Sequence, residues 1–161
     1  MQSIKISSDE ISLSRMKTSV LVYGSVACLF YVVFILAMKL VGLIHVTELR
    51  MVNYLVLFFV GFAQIKRMIK VSGTYVPFLG VFGTVLFTGL WSFFLFSIFL
   101  FIYGKFDYQL NELFLERAGN VFKSVPSIII FFEGSAVSII IAFINMQYFR
   151  RYEEGEKSPK K

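Results

Sequence analysis

One cysteine, one histidine and one tryptophan are all that these 161 residues contain of those three types, and there are only three prolines. With Cys28 as the single thiol no intramolecular disulfide can form, and its place inside an apolar run makes it a small hydrophobe. A metal site at His45 would need further ligands, and none is spaced for it. The chain has no serine nucleophile motif, no His-Glu zinc pair and no glycine-rich phosphate loop beside a strand. Neither enzymatic activity nor a cofactor is therefore expected. Charge is scarce as well: 16% of residues are charged, against 57% hydrophobic. The net charge of +6 does not point to nucleic acid, because the basic residues lie at the ends of apolar runs and not on a polar face of their own.

What the chain does have is long apolar runs, and these define its class. The hydrocarbon core of a bilayer is about 30 Å thick, so about 20 apolar residues in a helix cross it. Four segments qualify: residues 18–43, interrupted only by Lys39; 46–65, whose uncharged part begins at Met51; 78–103, free of charge; and 125–149, carrying one acid, Glu133. Backbone polar groups find no partners in hydrocarbon, so each run must be a helix. The expected fold is all-α: an integral membrane four-helix bundle forming one domain. Four spans and their connections leave no room within the sequence for a soluble catalytic domain.

The connections carry their own signals. Residues 1–17 form a polar lead-in in which Ser7 and Glu10 are spaced like a helix capping box. Gly42 to His45 is so short that the first two spans must form a hairpin. Ser72-Gly73 marks a turn before Pro77, and Pro126 opens the last span, where a missing N–H is harmless. Between spans three and four, residues 107–117 have the pattern of a short interfacial helix with Leu110, Leu113 and Phe114 on one face, capped by Gly119. Residues 150–161 form a charged tail. Ser25-Val26-Ala27-Cys28 loosely resembles a bacterial lipoprotein cleavage box, but the apolar run continues well beyond Cys28 and barely precedes it, the reverse of a cleaved signal.

Orientation follows from lysine and arginine. Lys5, Arg15, Lys17, Lys66, Arg67, Lys70, Arg150, Arg151, Lys157, Lys160 and Lys161 fall on one side, eleven in all. Five fall on the other: Lys39, Arg50, Lys105, Arg117 and Lys123. Positive flanks stay in the cytoplasm, which places both termini inside.

Two patterns inside the spans could matter for packing or chemistry. Gly80, Thr84, Thr88 and Ser92 recur every four residues, and Gly134, Ser138 and Ala142 form a shorter series, with Gly24 and Cys28 in the first span. In lipid such stripes permit close backbone approach and interhelical hydrogen bonds. Glu133 is the second feature: an ionised carboxylate deep in a span costs on the order of 2.5 kcal/mol, so it must be protonated, paired or hydrated. Lys39 and Arg50, near the same membrane face, are its candidate partners, though Lys39 alone also suits a snorkelling anchor. Asn53, Gln64, Asn145 and Gln147 sit near helix ends or can bond to neighbouring helices, and so read as weak signals, and Trp91 reads as packing. Val22 to Val26 and Val81 to Val85 match in pattern, which could mark a repeated hairpin.

Leu49-Arg50-Met51-Val52-Asn53-Tyr54, then Gly73-Thr74-Tyr75-Val76-Pro77-Phe78 leading into the Gly/Thr-rich third span, then the acidic segment 107–117 after Tyr103, resemble the small uncharacterised four-span inner-membrane proteins of Bacteroidota. The resemblance covers roughly residues 18–150. It implies a bacterial inner membrane and supplies no activity. The residues themselves favour a non-enzymatic protein that assembles, through its small-residue seams, as a homo-oligomer or with a membrane-protein partner. The alternative is a small oligomeric proton- or ion-linked transporter or channel using Glu133, which would need a hydrated path to that residue. A third reading is an interface sensor that reads lipid through its outer helix and basic inner loops.

Overall fold

A computed structural model describes residues 2–43, 51–72, 78–106 and 126–156. These form four helices: α1 (Gln2–Leu40), α2 (Met51–Ser72), α3 (Phe78–Phe106) and α4 (Pro126–Glu156). Each contains a stretch long and apolar enough to cross a bilayer, namely Met16–Leu40, Met51–Lys70, Leu79–Phe106 and Ser127–Phe149. The chain is an all-α, four-helix, multi-pass membrane protein.

The helices outrun the apolar segments at several ends. The polar lead-in continues α1 without a break, so Ser7 and Glu10 lie within the helix and not at its start. Once a helix is nucleated, each added residue gains a backbone hydrogen bond, and nothing between Gln2 and Met16 interrupts that propagation. α2 likewise runs past Ile65 through Lys66, Arg67 and Lys70, whose exposed side chains suit the headgroup region at the end of a short span. α4 continues past Arg150 and Arg151 to Glu156. The expected interfacial helix at residues 107–117, and the first residues of the 46–65 span, lie outside the described residues.

The end of α1 is set by a specific cap. Gly42 takes φ +74, the Gly42 amide donates to the Lys39 carbonyl at 3.1 Å, and the Leu43 amide donates to the Met38 carbonyl at 2.9 Å. This is the Schellman arrangement, with glycine at the left-handed position. A Cβ at Gly42 would touch nothing, so substitution there costs only backbone strain. Gly42→Ala is expected to lower stability by about 1 kcal/mol. Thermal unfolding of the two proteins in the same detergent checks this.

Side-chain hydrogen bonds between helices establish their directions. Gln64 near the end of α2 bonds Ser19 near the start of the α1 span, so these two are antiparallel. Ser97 late in α3 donates to the Ser127 carbonyl at the start of α4, again antiparallel. Lys39 and Tyr103, both late in their helices, meet across α1 and α3, and Tyr54 and Glu133, both early, meet across α2 and α4. The chain thus runs up, down, up and down. Lys17, Lys66, Arg67 and Lys70 share one end of the bundle, called here the basic end, while Lys39 and Lys105 share the other.

α3 is the central element. It packs against all three other helices, most extensively against α4 and then α1; α2 bridges α1 and α4, which do not touch among the described residues. Phe93 shows why α3 is central. It is 2% exposed, stacks on Tyr31 of α1 with centroids 5.1 Å apart, lies 6.3 Å from the Tyr54 ring of α2, and covers Gly134 of α4. One side chain therefore touches every other helix. Around it most large apolar side chains on the outer faces, such as Leu29, Phe59, Phe87 and Phe132, are exposed. That inside-out distribution suits a lipid solvent.

Candidate functional site

The small-residue series of α3 lies mostly inside. Thr84, Thr88 and Ser92 are buried, and Gly80 at the basic end is half-buried. On α4, Gly134, Ser138 and Ala142 are buried. The α4 series meets α3 at Gly89 and Phe93, beside the α3 series and not on it. A Cβ on Gly89 would collide with Ser138, and one on Gly134 would collide with the Phe93 ring. Gly89 lies outside the four-residue series, yet it is a tight contact of that seam; its spacing from Gly134 across two antiparallel helices has no signature in a single sequence.

The hydroxyls of these residues mostly serve their own helix. Thr84 donates to the Gly80 carbonyl at 2.6 Å, Ser92 to Gly89 at 2.8 Å, Ser135 to Phe131 at 2.6 Å and Ser138 to Gly134 at 2.7 Å. A helical hydroxyl sits over the preceding turn, within reach of the carbonyl four residues back. Such bonds silence a polar group in lipid without linking helices, which differs from the interhelical role that a Ser/Thr stripe suggests.

The exception is a three-helix network built on Gln64. Fully buried, Gln64 donates from Nε2 to the Ser19 hydroxyl of α1 at 3.1 Å and accepts at Oε1 from the Thr88 hydroxyl of α3 at 2.8 Å. Thr88 also lies 2.8 Å from the Thr84 carbonyl, so its one proton is shared between two acceptors. Of the two roles open to Gln64 in the sequence, a place near a helix end or a bond to a neighbouring helix, the structure shows the second. Its face, shared with the buried Leu57 and Gly61 at helical spacing, is the clue that identifies it.

At the opposite end the ionisable residues separate into two pairs. Glu133 accepts a hydrogen bond from the Tyr54 hydroxyl, joining α4 to α2, and its side chain is exposed on the outside of the bundle. Glu133 is six residues beyond Ser127, so about 9 Å along the helix from the start of its span. Lys39 donates to Tyr103 at 3.3 Å and its ammonium stands 5.4 Å from that ring centroid, joining α1 to α3. Arg50 lies outside the described residues. Among the described residues the partner of Glu133 is thus a neutral donor, Tyr54, brought level with it because α2 and α4 run parallel.

Other buried polar atoms are less well served. Among the described residues the Asn53 Oδ1, Asn145 Oδ1 and Trp91 Nε1 have no hydrogen-bond partner, and the Tyr31 hydroxyl lies near Ser92 without a well-formed bond. Asn145 spends its amide on the Ile141 carbonyl at 3.1 Å. No group of three or more His, Cys, Asp or Glu side chains that could hold a metal ion occurs among the described residues. Gly24 and Gly83, the glycines of the two matching pentapeptides, occupy different environments. A Cβ at Gly24 would come within 2.8 Å of the Trp91 ring, whereas one at Gly83 would meet nothing within 4 Å.

Comparison with known protein families, characterised proteins and solved structures returns no match.

Proposed function

We propose that this chain is a non-enzymatic protein of a bacterial inner membrane, with both termini cytoplasmic, that acts by helix–helix assembly with itself or with a larger membrane partner. The observation that carries this reading is the position of Glu133. A carboxyl group exposed on the outside of a bundle, within a membrane-spanning helix, faces hydrocarbon when the protein is alone, and Tyr54 meets only part of its hydrogen-bonding capacity. A neighbouring helix would cover it. The small-residue series are mostly buried within the single chain, with Gly89 on Ser138 and Gly134 on Phe93, so the assembling surface in this reading is the outer face around Glu133 and not those seams. The charge distribution, with the basic end facing the cytoplasm, and the resemblance to the four-span proteins of Bacteroidota accompany this proposal.

The test is association of fluorescently labelled protein diluted in phosphatidylcholine vesicles. Glu133→Leu is expected to weaken self-association about tenfold, in keeping with a polar interhelical contact of ~1.4 kcal/mol, while Glu133→Gln keeps most of it. A wild-type protein that stays monomeric and emerges alone from its native membrane would overturn the reading. So would a proton flux in vesicles that Glu133→Gln abolishes, which would instead establish the transporter.

A further inference from the structure

The outer surface of the bundle is not uniformly convex. Along α1 and α3 runs a groove of about 770 Å³, bounded by Lys17, Val20 and Leu21 on one wall and by Gly83, Phe87 and Trp91 on the other. Its cause is visible in the helix packing. α1 closes tightly on α3 at Gly24, where the Trp91 ring and the Thr88 carbonyl stand 2.8 and 3.1 Å from the position of a Cβ. Toward the basic end Gly80 and Gly83 have no side chain to fill the space between the helices. The floor is the edge-on pair of Phe94 and Phe131, with centroids 6.3 Å apart, which closes the groove near the middle of the α3 span.

From these features we propose that the groove holds one acyl chain of an anionic phospholipid from the leaflet at the basic end, with Lys17 meeting its phosphate. Depth is the first argument. From Gly80 to Phe94 is about 21 Å of helix, which matches half of a bilayer of about 40–45 Å with its headgroups. The groove therefore reaches from headgroup level to the midplane and stops there. Width is the second. A helix of the same length and about 11 Å diameter has a volume of roughly 2,000 Å³, well above the groove's 770 Å³, so a helix would lie across the mouth with only its side chains inside, whereas a single flexible chain lies within it. Chemistry is the third: the one hydroxyl in the lining, that of Thr84, is already given to the Gly80 carbonyl, leaving apolar walls. Among the described residues, the charge on the rim is the exposed ammonium of Lys17. Most of the groove lies toward the opposite end of the bundle from Glu133, and the site stands whether or not the chain assembles.

Trp91 is the single tryptophan and lines this groove, so its fluorescence reports what occupies it. The experiment uses the whole protein in phosphatidylcholine vesicles doped with phosphatidylglycerol, with bromine carried mid-chain on one lipid or the other. Brominated phosphatidylglycerol is expected to quench Trp91 with about fivefold higher apparent affinity than brominated phosphatidylcholine, equivalent to the ~1 kcal/mol of one lysine near an anionic headgroup. Lys17→Gln is expected to bring that ratio to about one. Gly83→Leu places a side chain into space where a Cβ meets nothing within 4 Å, and is expected to weaken quenching by both lipids while helix content by circular dichroism is unchanged. Equal quenching of the wild type by the two lipids would overturn the headgroup assignment. Undiminished quenching in a folded Gly83→Leu protein would overturn the groove itself. A tryptophan that neither lipid reaches, in a protein that self-associates, would mean that another copy covers it. Should Gly83→Leu fail to fold, the Lys17→Gln comparison, made at an exposed side chain, decides by itself.

Discussion

Gly134→Ala, the addition of one methyl group, is expected to destabilise the bundle by about 2 kcal/mol, within the range for overpacking a filled interior. The new carbon would meet the Phe93 ring. That ring cannot swing aside, because Tyr31 stacks on it at 5.1 Å and Tyr54 borders it at 6.3 Å. Backbone separation of α3 and α4 is the remaining escape, and it would open the most extensive contact in the protein. The effect runs against intrinsic propensity, since alanine is a better helix former than glycine. Gly83→Ala is the internal control: it makes the same chemical change on α3 where nothing stands within 4 Å, and is expected to leave stability unchanged or slightly raised. Gly134→Ala combined with Phe93→Leu should recover part of the loss if the ring is the obstacle. Detergent titration or thermal unfolding of the four proteins measures this, and equal effects of the two alanine substitutions would refute the tight seam.

The Gln64 network yields the other large effect. Gln64→Leu keeps the volume and removes two interhelical bonds, at a cost of about 1 kcal/mol, because such bonds in membrane proteins average well below their apparent strength. Thr88 keeps the Thr84 carbonyl as acceptor, which softens the change further. Gln64→Glu is expected to cost more, about 2 kcal/mol at neutral pH, since it puts a carboxylate into a fully buried position and removes the donor to Ser19. The sign of its pH dependence follows. Burial favours the neutral acid, so the folded variant binds its proton more tightly than the unfolded one, and its stability falls as pH rises above the ordinary glutamate range. Unfolding measured from about pH 4 to pH 8 should show that fall in Gln64→Glu, relative to the wild type, and no such fall in Gln64→Leu. A flat profile for Gln64→Glu would mean that position 64 is hydrated.

The spans were legible because length and charge are properties of a sequence alone. A run such as 78–103 without a charge has no other stable home than lipid, and α3 duly includes it. Helix ends were less legible. The lead-in before Met16 is polar, so nothing in its composition distinguishes a separate segment from the continuous α1 that propagation produces. Faces proved harder still. Gln64 and Glu133 differ little by hydropathy, yet one is fully buried against two other helices and the other lies on the outside. Which side of a helix points inward depends on how it is rotated against its neighbours, and that is fixed by contacts such as Gly89 on Ser138 that pair residues far apart in the chain. The Tyr54–Glu133 pair needed the parallel alignment of α2 and α4 before its members could be recognised as neighbours.

Impermeant maleimide labelling in sealed membrane vesicles tests the architecture most directly. In a Cys28→Ser background, cysteine is introduced singly as Lys17→Cys, Lys70→Cys, Lys39→Cys or Lys105→Cys. The account predicts that positions 17 and 70 react from one side of the vesicle, the cytoplasmic one, and positions 39 and 105 only from the other. All four reacting from the same side, or positions 17 and 70 reacting from opposite sides, would contradict it.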